Sequence, residues 1–259
     1  MPPIEAVLVT GAGRGIGKAI ALDLAASGVH VVCLSKSANA DITRDEIRER
    51  GGSAESLSLD LSRYAETERA AGTCGEPHQR WGVVLAAGIL GPTGSLVETN
   101  LEDWRECMEL NVLGNLAAVK GLLHRMLAAR FGRILAFAGG GSAYAYPLFP
   151  AYSASKTAMV RAIENLNKDL EGKGDFAVAC LAPGAVETDM LARVREAGAE
   201  IKTTTDIAEP VRFAREFLFS TSCGFSGSFV HVRDKWPEYL NNGHALNTES
   251  LWKLRRIET

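Results

Sequence analysis

Tyr152 and Lys156 stand four residues apart in Tyr152-Ser153-Ala154-Ser155-Lys156. Residues 152–170 read as a helix, and on a helix positions i and i+4 share a face. An ammonium beside a phenol favours the phenolate and draws its pKa toward the working range, so the pair suits proton exchange with an alcohol or carbonyl oxygen. A second feature lies far upstream. Thr10-Gly11-Ala12-Gly13-Arg14-Gly15-Ile16-Gly17 follows a short apolar run and opens an amphipathic stretch at 18–26. Gly11 can turn the chain sharply, Gly15 lets the backbone approach a pyrophosphate, and Gly17 lets the helix pack on the strand; the helix start then faces an anion.

A dinucleotide bound this way presents its adenosine ribose near the tip of the second strand. An acid there suits a free 2′-hydroxyl. Here the strand ends in Ser35-Lys36, with no carboxylate at its tip. A hydroxyl and an ammonium suit a 2′-phosphate, and Arg14 in the glycine loop can add a second cation. The charge argument favours NADP(H), with NAD(H) as the second option.

The elements that must hold these groups follow from the alternation along the chain. Apolar runs at 7–9, 29–34, 56–59, 83–87, 133–137, 176–181 and 229–232 alternate with helical stretches at 18–26, 41–50, 64–71, 101–129, 152–170 and 211–219. Seven such runs separated by helices predict an α/β fold, a doubly wound parallel sheet with helices on both faces. No linker or repeat divides residues 1–259, so one domain is expected. Residues 184–206 show no apolar period and sit beside the expected ligand edge, as a substrate loop would.

Composition narrows the class further. The chain has 259 residues, 46% hydrophobic and 23% charged, which excludes disorder and coiled coil. A formal charge of −3 offers no attraction to nucleic acid or an anionic membrane. No apolar run reaches the roughly 18 residues of a membrane span, and the start has no basic leader. The five cysteines form no CxxC pair, as expected of a reducing compartment, so a cytoplasmic location is expected. His30, His78, His124, His231 and His244 show no ligand spacing, and no metal is expected.

Taken together, the glycine loop and the YxxxK pair resemble the short-chain dehydrogenase/reductase family in its compact, Rossmann-like single-domain form. The likeness runs from Val7 to Val232. Asp60-Leu61 matches the family pair that contacts the adenine, and Ala87-Gly88 the end of its NNAG element. Asn111 matches the helix asparagine that holds a proton-relay water. Pro183-Gly184-Ala185-Val186-Glu187-Thr188 matches the PGxVxT turn that receives the nicotinamide and phosphates. The resemblance implies Tyr152 as general acid and base, with Lys156 also gripping the nicotinamide ribose.

Two departures stand out. The NNAG element reads Leu85-Ala86-Ala87-Gly88, without its amides, which is read as structural drift because those side chains mainly brace backbone. The catalytic serine of the family falls at Gly139, in Ala138-Gly139-Gly140-Gly141-Ser142. Ser142, the Tyr144 hydroxyl or a backbone N–H is left to polarise a substrate oxygen. The reading is an NADP(H)-dependent oxidoreductase interconverting a secondary alcohol and a ketone. The alternative is a dinucleotide-binding member without fast redox turnover, serving a non-redox or regulatory role. A small carbonyl or alcohol substrate would meet Tyr144 and Met190. The outer sides of 101–129 and 152–170 look too apolar to face water, so a homodimer or homotetramer is expected.

Overall fold

Each apolar run becomes a strand: β1 (Ala6–Thr10), β2 (His30–Ser35), β3 (Ala54–Ser58), β4 (Trp81–Leu85), β5 (Phe131–Phe137), β6 (Asp175–Ala182) and β7 (Ser228–His231). The structure is a computed structural model that describes residues 4–76, 79–242 and 252–254. The strands form one sheet in the order β3-β2-β1-β4-β5-β6-β7, and every pairing is parallel. Helices α1 (Gly15–Ala26), α2 (Asn39–Glu49) and α8 (Ala208–Leu218) cover one face. Helices α3 (Tyr64–Thr73), α5 (Asn115–Ala129) and α6 (Pro150–Leu170) cover the other.

Side chains along a strand alternate between the faces. Val7 and Val9 enter one core while Ala6 and Leu8 enter the other, which is why the strands read as unbroken apolar runs. The order of strands reverses between β1 and β4. A crevice opens there at the carboxyl ends of the strands, where open α/β sheets bind ligands.

Two segments differ from expectation. The stretch 101–129 is not one regular helix: α4 (Leu101–Met108) passes through a π-helical turn, Glu109–Gly114, into α5. Such a turn inserts an extra residue into the ladder and is frequent at functional sites; here it carries Asn111. The second is helix α7 (Asp189–Glu196), inside the loop expected at 184–206. Thr188 caps it by accepting from the Leu191 N–H at 3.4 Å, and it buries only Leu191 and Val194. Two buried residues in eight leave no visible apolar period.

The helices expected to be apolar outside are mostly apolar inside. On α5, Ala117, Ala118, Leu122 and Met126 face the core, while Lys120, His124 and Ala128 are exposed. On α6 the exposed residues include Ala154, Arg161 and Asn165. Leu101 and Leu113 are the large exposed apolar side chains of these two regions among the described residues. No helix of the described residues is long and apolar enough to cross a membrane.

Candidate active site

The glycine loop leaves β1 and enters α1 as its composition requires. A Cβ on Gly17 would lie 2.4 Å from the Gly11 carbonyl oxygen, so only glycine lets the helix seat against the turn. The start of α1 has no side-chain cap and no acid in its first turn, which leaves its N–H groups for a phosphate. From there a cavity of about 420 Å³ runs along the strand ends, passing Ile16, Gly88, Gly139, Lys156, Pro183 and Thr188. The bare helix start and this groove fit a dinucleotide.

The proposed 2′-phosphate cations are present, but each has a partner. Lys36 Nζ lies 2.8 Å from Asp60 Oδ2, and Arg14 lies 3.2 Å from Asp189 on α7. Ser35 donates to the Ser37 carbonyl at 2.9 Å. Burial works to raise the Asp60 pKa, but hydrogen bonds from Lys36 and Ser62 outweigh it and hold the carboxylate below its usual range. A ligand phosphate would have to compete with two carboxylates for these exposed cations. Leu61 is buried, and the Val186 backbone bridges to Thr205 at the floor of the 184–206 segment.

Tyr152 and Lys156 do share a face of α6 and both line the cavity. Their electrostatics differ from the expected pair. Lys156 Nζ donates to the Phe137 carbonyl at 2.9 Å and lies 5.6 Å from the centre of the Tyr152 ring. Burial raises the Tyr152 pKa, and the same burial lowers that of Lys156. The phenol is therefore held in its protonated form, not drawn toward the phenolate, because desolvation outweighs an ammonium engaged elsewhere.

Asn111 is fully buried. Its Oδ1 accepts from the Ile89 N–H at 2.8 Å, and its Nδ2 donates to the Ile89 carbonyl and to Ser155 Oγ, each at 2.9 Å. Ser155 in turn donates to the Tyr152 carbonyl at 2.7 Å. The π-helical turn thus aims Asn111 at the exit of β4 and ties it to the turn of α6 bearing the tyrosine.

Gly139 is extended (φ −166°, ψ 172°), and a Cβ there would meet Tyr152 Oη at 3.4 Å, an ordinary contact. Ser142 does not turn toward that point. It is 4% exposed, its Oγ lies 3.4 Å from the Gly139 N–H, and it is absent from the cavity lining. Gly140 and Gly141 do line the cavity, as do Tyr144 at its open mouth and Met190 on α7.

Two contributors went unread in the sequence. Asn115 is buried between β1 and the backbone that follows β4. It accepts from Thr10 Oγ1 at 2.7 Å and donates to the Ala87 carbonyl at 3.1 Å, while the Ala87 N–H donates to Thr10 at 3.1 Å. The backbone that follows β4 is thus braced from the helix side. The clue was an asparagine inside an apolar helical stretch. The other is His231, which ends β7 and lines the cavity. Its position at the carboxyl end of a parallel strand was the available signal. His78 and His244 lie outside the described residues.

Comparison with known proteins agrees with this geometry. The family model for short chain dehydrogenases matches residues 5–199. A 3-oxoacyl-(acyl-carrier-protein) reductase of Synechocystis sp. is 34% identical over 72% of this chain and 76% of its own. A 1-deoxy-11-beta-hydroxypentalenate dehydrogenase of Streptomyces exfoliatus is 32% identical over 98% and 96%. Among solved structures, one described as an NAD(P)-dependent gluconate 5-dehydrogenase from Beutenbergia cavernae, with NADP bound at low occupancy, is 30% identical. It superposes with a TM-score of 0.80 over 88% of this chain and 94% of that one. The chain belongs to the short-chain dehydrogenase/reductase family of oxidoreductases.

Proposed function

We propose that the protein is an NADP(H)-dependent oxidoreductase that interconverts a secondary alcohol and a ketone, with Tyr152 as the general acid and base. The observation that carries this reading is that Tyr152 and Lys156 open into the same cavity as Ile16, at the start of α1 after the glycine loop, and the Pro183–Thr188 turn. A nicotinamide dinucleotide held along that groove supplies or accepts the hydride. In reduction, Tyr152 donates its proton to the developing alkoxide, a task suited to a phenol that burial keeps protonated. Lys156, fixed by the Phe137 carbonyl, faces the same cavity and can hold a ribose hydroxyl. Asn111 and Ser155 hold the tyrosine's turn of α6 against β4.

The preference for NADP(H) rests on Ser35, Lys36 and Arg14, with no carboxylate in the residues that end β2, and it requires a 2′-phosphate to displace Asp60 and Asp189 from the two cations. Residues 1–259 act as one domain with 184–206 as the substrate segment, and Tyr144 and Met190 border the substrate. Five free cysteines fit a cytoplasmic setting. Pairing of copies through the α4–α6 side, where Leu101 and Leu113 are exposed, would give a homodimer or homotetramer.

The missing serine favours a second reading, a dinucleotide-binding member without fast redox turnover. NADPH oxidation followed at 340 nm with a panel of ketones separates the two. Turnover with at least one ketone supports the oxidoreductase; tight NADPH binding with no turnover supports the alternative.

A further inference from the structure

Part of the cavity wall is left unused by the proton transfer and by the dinucleotide groove. Leu90, Tyr146, Met190, Leu191, Val194 and Ile201 all line the cavity there. The buried side chains of Leu90, Phe149, Leu191 and Val194 form an apolar cluster distinct from the two cores of the sheet. Tyr146, Met190, Ile201 and Tyr152 itself pack against that cluster. The group that exchanges the proton therefore stands on an apolar wall.

Helix α7 sorts its side chains to build this wall. Val194 stands four residues after Met190 and three after Leu191, so the three share a face of the helix, and all three line the cavity. The charges of α7 are absent from that lining. Asp189 meets Arg14 at 3.2 Å, Arg195 donates to both oxygens of Glu187 at 2.7 and 2.6 Å, and Arg193 and Glu196 are exposed. The helix is held by its Thr188 cap and by the Thr205 N–H, which donates to the Ala185 carbonyl at 2.8 Å.

Among the described residues, no carboxylate and no guanidinium lines the cavity. The lining side chains that carry a basic nitrogen are engaged elsewhere. Lys156 donates to the Phe137 carbonyl at 2.9 Å, and His231 Nε2 lies 3.9 Å from the position of a Cβ on Gly184, in the Pro183–Thr188 turn. Burial lowers the pKa of both, so their surroundings do not favour the cations. Burial also raises the Tyr146 pKa, which keeps that phenol neutral. A carboxylate or phosphate drawn against Leu191 and Val194 would lose its water and gain no cation. A methylene placed there is favoured by about fourfold, the worth of its transfer out of water.

Resting on the ketone-reductase reading above, we propose that the substrate is an uncharged ketone, or the matching secondary alcohol, whose apolar body lies against α7. That body is an aliphatic chain or an alicyclic ring without a carboxylate or phosphate. Met190, Leu191 and Val194 set the preference.

The test compares reduction of 2-butanone, 2-hexanone, 2-octanone, 7-oxooctanoate and methyl 7-oxooctanoate, with NADPH or NADH. The acid is 2-octanone with a terminal carboxylate, and the ester removes its charge. In the wild type kcat/KM should rise at least about tenfold from 2-butanone to 2-hexanone, two methylenes at about fourfold each. Both 2-octanone and the ester should exceed the acid at least about tenfold, as an unpaired buried charge requires. Met190→Lys, at a half-buried position, should lower the ratio of 2-octanone to acid at least about tenfold by supplying the missing cation, with NADPH affinity unchanged. Val194→Ala, a milder change at a buried position, should flatten the chain-length dependence. A wild type that reduces the acid as well as 2-octanone overturns the proposal. So does an unchanged ratio in a folded Met190→Lys, or, should that variant not fold, an unchanged chain-length dependence in Val194→Ala. If the wild type reduces none of the five, the ketone-reductase reading fails on its own account. Saturation-transfer NMR of 2-octanone and the acid on the NADP-loaded protein then decides on the apolar site: transfer to 2-octanone alone supports it, and equal transfer to both, or none, refutes it.

Discussion

Replacing Gly139 by serine probes the one position where this chain parts from its family at the reacting centre. The substitution should be accepted without strain. Residue 139 is extended, and the new Cβ would meet Tyr152 at 3.4 Å from Oη and 3.6 Å from Cε1, both ordinary contacts. From that Cβ the hydroxyl can swing to about 2.6–3.2 Å from the tyrosine oxygen or from a bound carbonyl. One added oxyanion donor is worth up to about 3–4 kcal/mol, or 10²–10³ in rate, when the site lacks one. An enzyme already adapted to ketone reduction has that role filled, and a peptide N–H of Gly140 or Gly141, both of which line the cavity, is the group expected to fill it. Gly139→Ser should therefore change kcat for NADPH-dependent ketone reduction by less than about tenfold, with the thermal midpoint near that of wild type. Steady-state rates on a folded, NADPH-binding variant give the answer. A gain of about a hundredfold refutes the reasoning, since the native site would then lack a donor and the non-redox reading would take its place.

Three other expectations follow from the contacts. Lys36→Ala should reduce the preference for NADPH over NADH by roughly tenfold in fluorescence titration, one charge-assisted bond being worth about 1.5–3 kcal/mol; equal affinities unaffected by the mutation would remove Lys36 from the site. Asn115→Leu should destabilise the fold by about 2–4 kcal/mol in urea, because it strands the buried Thr10 hydroxyl and Ala87 carbonyl, and a loss under 1 kcal/mol would deny the brace. For pH, the raised pKa of Tyr152 keeps the proton donor loaded across neutral pH. Ketone reduction should be flat there and fall only on the alkaline side, while alcohol oxidation rises with pH; a fall in reduction beginning near pH 7 would contradict the burial of the phenol.

The strands and the principal helices were readable because parallel strands buried on both faces are continuous apolar runs, and amphipathic helices keep their period. Helix α7 was not, since it buries only two side chains and depends on Thr188 as its cap. The π-helical turn at Asn111 was not readable either, because its cause is tertiary: the asparagine bonds the backbone of Ile89, 22 positions away. Motif residues came together as the spacing implied, from Gly11 through Gly88 to Pro183, since each follows the carboxyl end of a strand. What the motifs could not give is who pairs with whom. Lys36 meets Asp60, Arg14 meets Asp189, and Lys156 turns to Phe137 rather than to the phenol. Asn115 lies beyond the matched asparagine motif, so its bonds to Thr10 and Ala87 emerge only when β1, β4 and α5 are assembled.

The central claim, that Tyr152 delivers the proton in a hydride-transfer reaction, is tested most directly by Tyr152→Phe. Phenylalanine keeps the ring and its packing and removes only the transferable proton. The account predicts that ketone reduction by NADPH falls at least about a hundredfold, within the 10²–10⁴ that a positioned acid contributes, while the dissociation constant for NADPH stays within about twofold. A variant that binds NADPH and keeps more than about a tenth of the wild-type rate would contradict it.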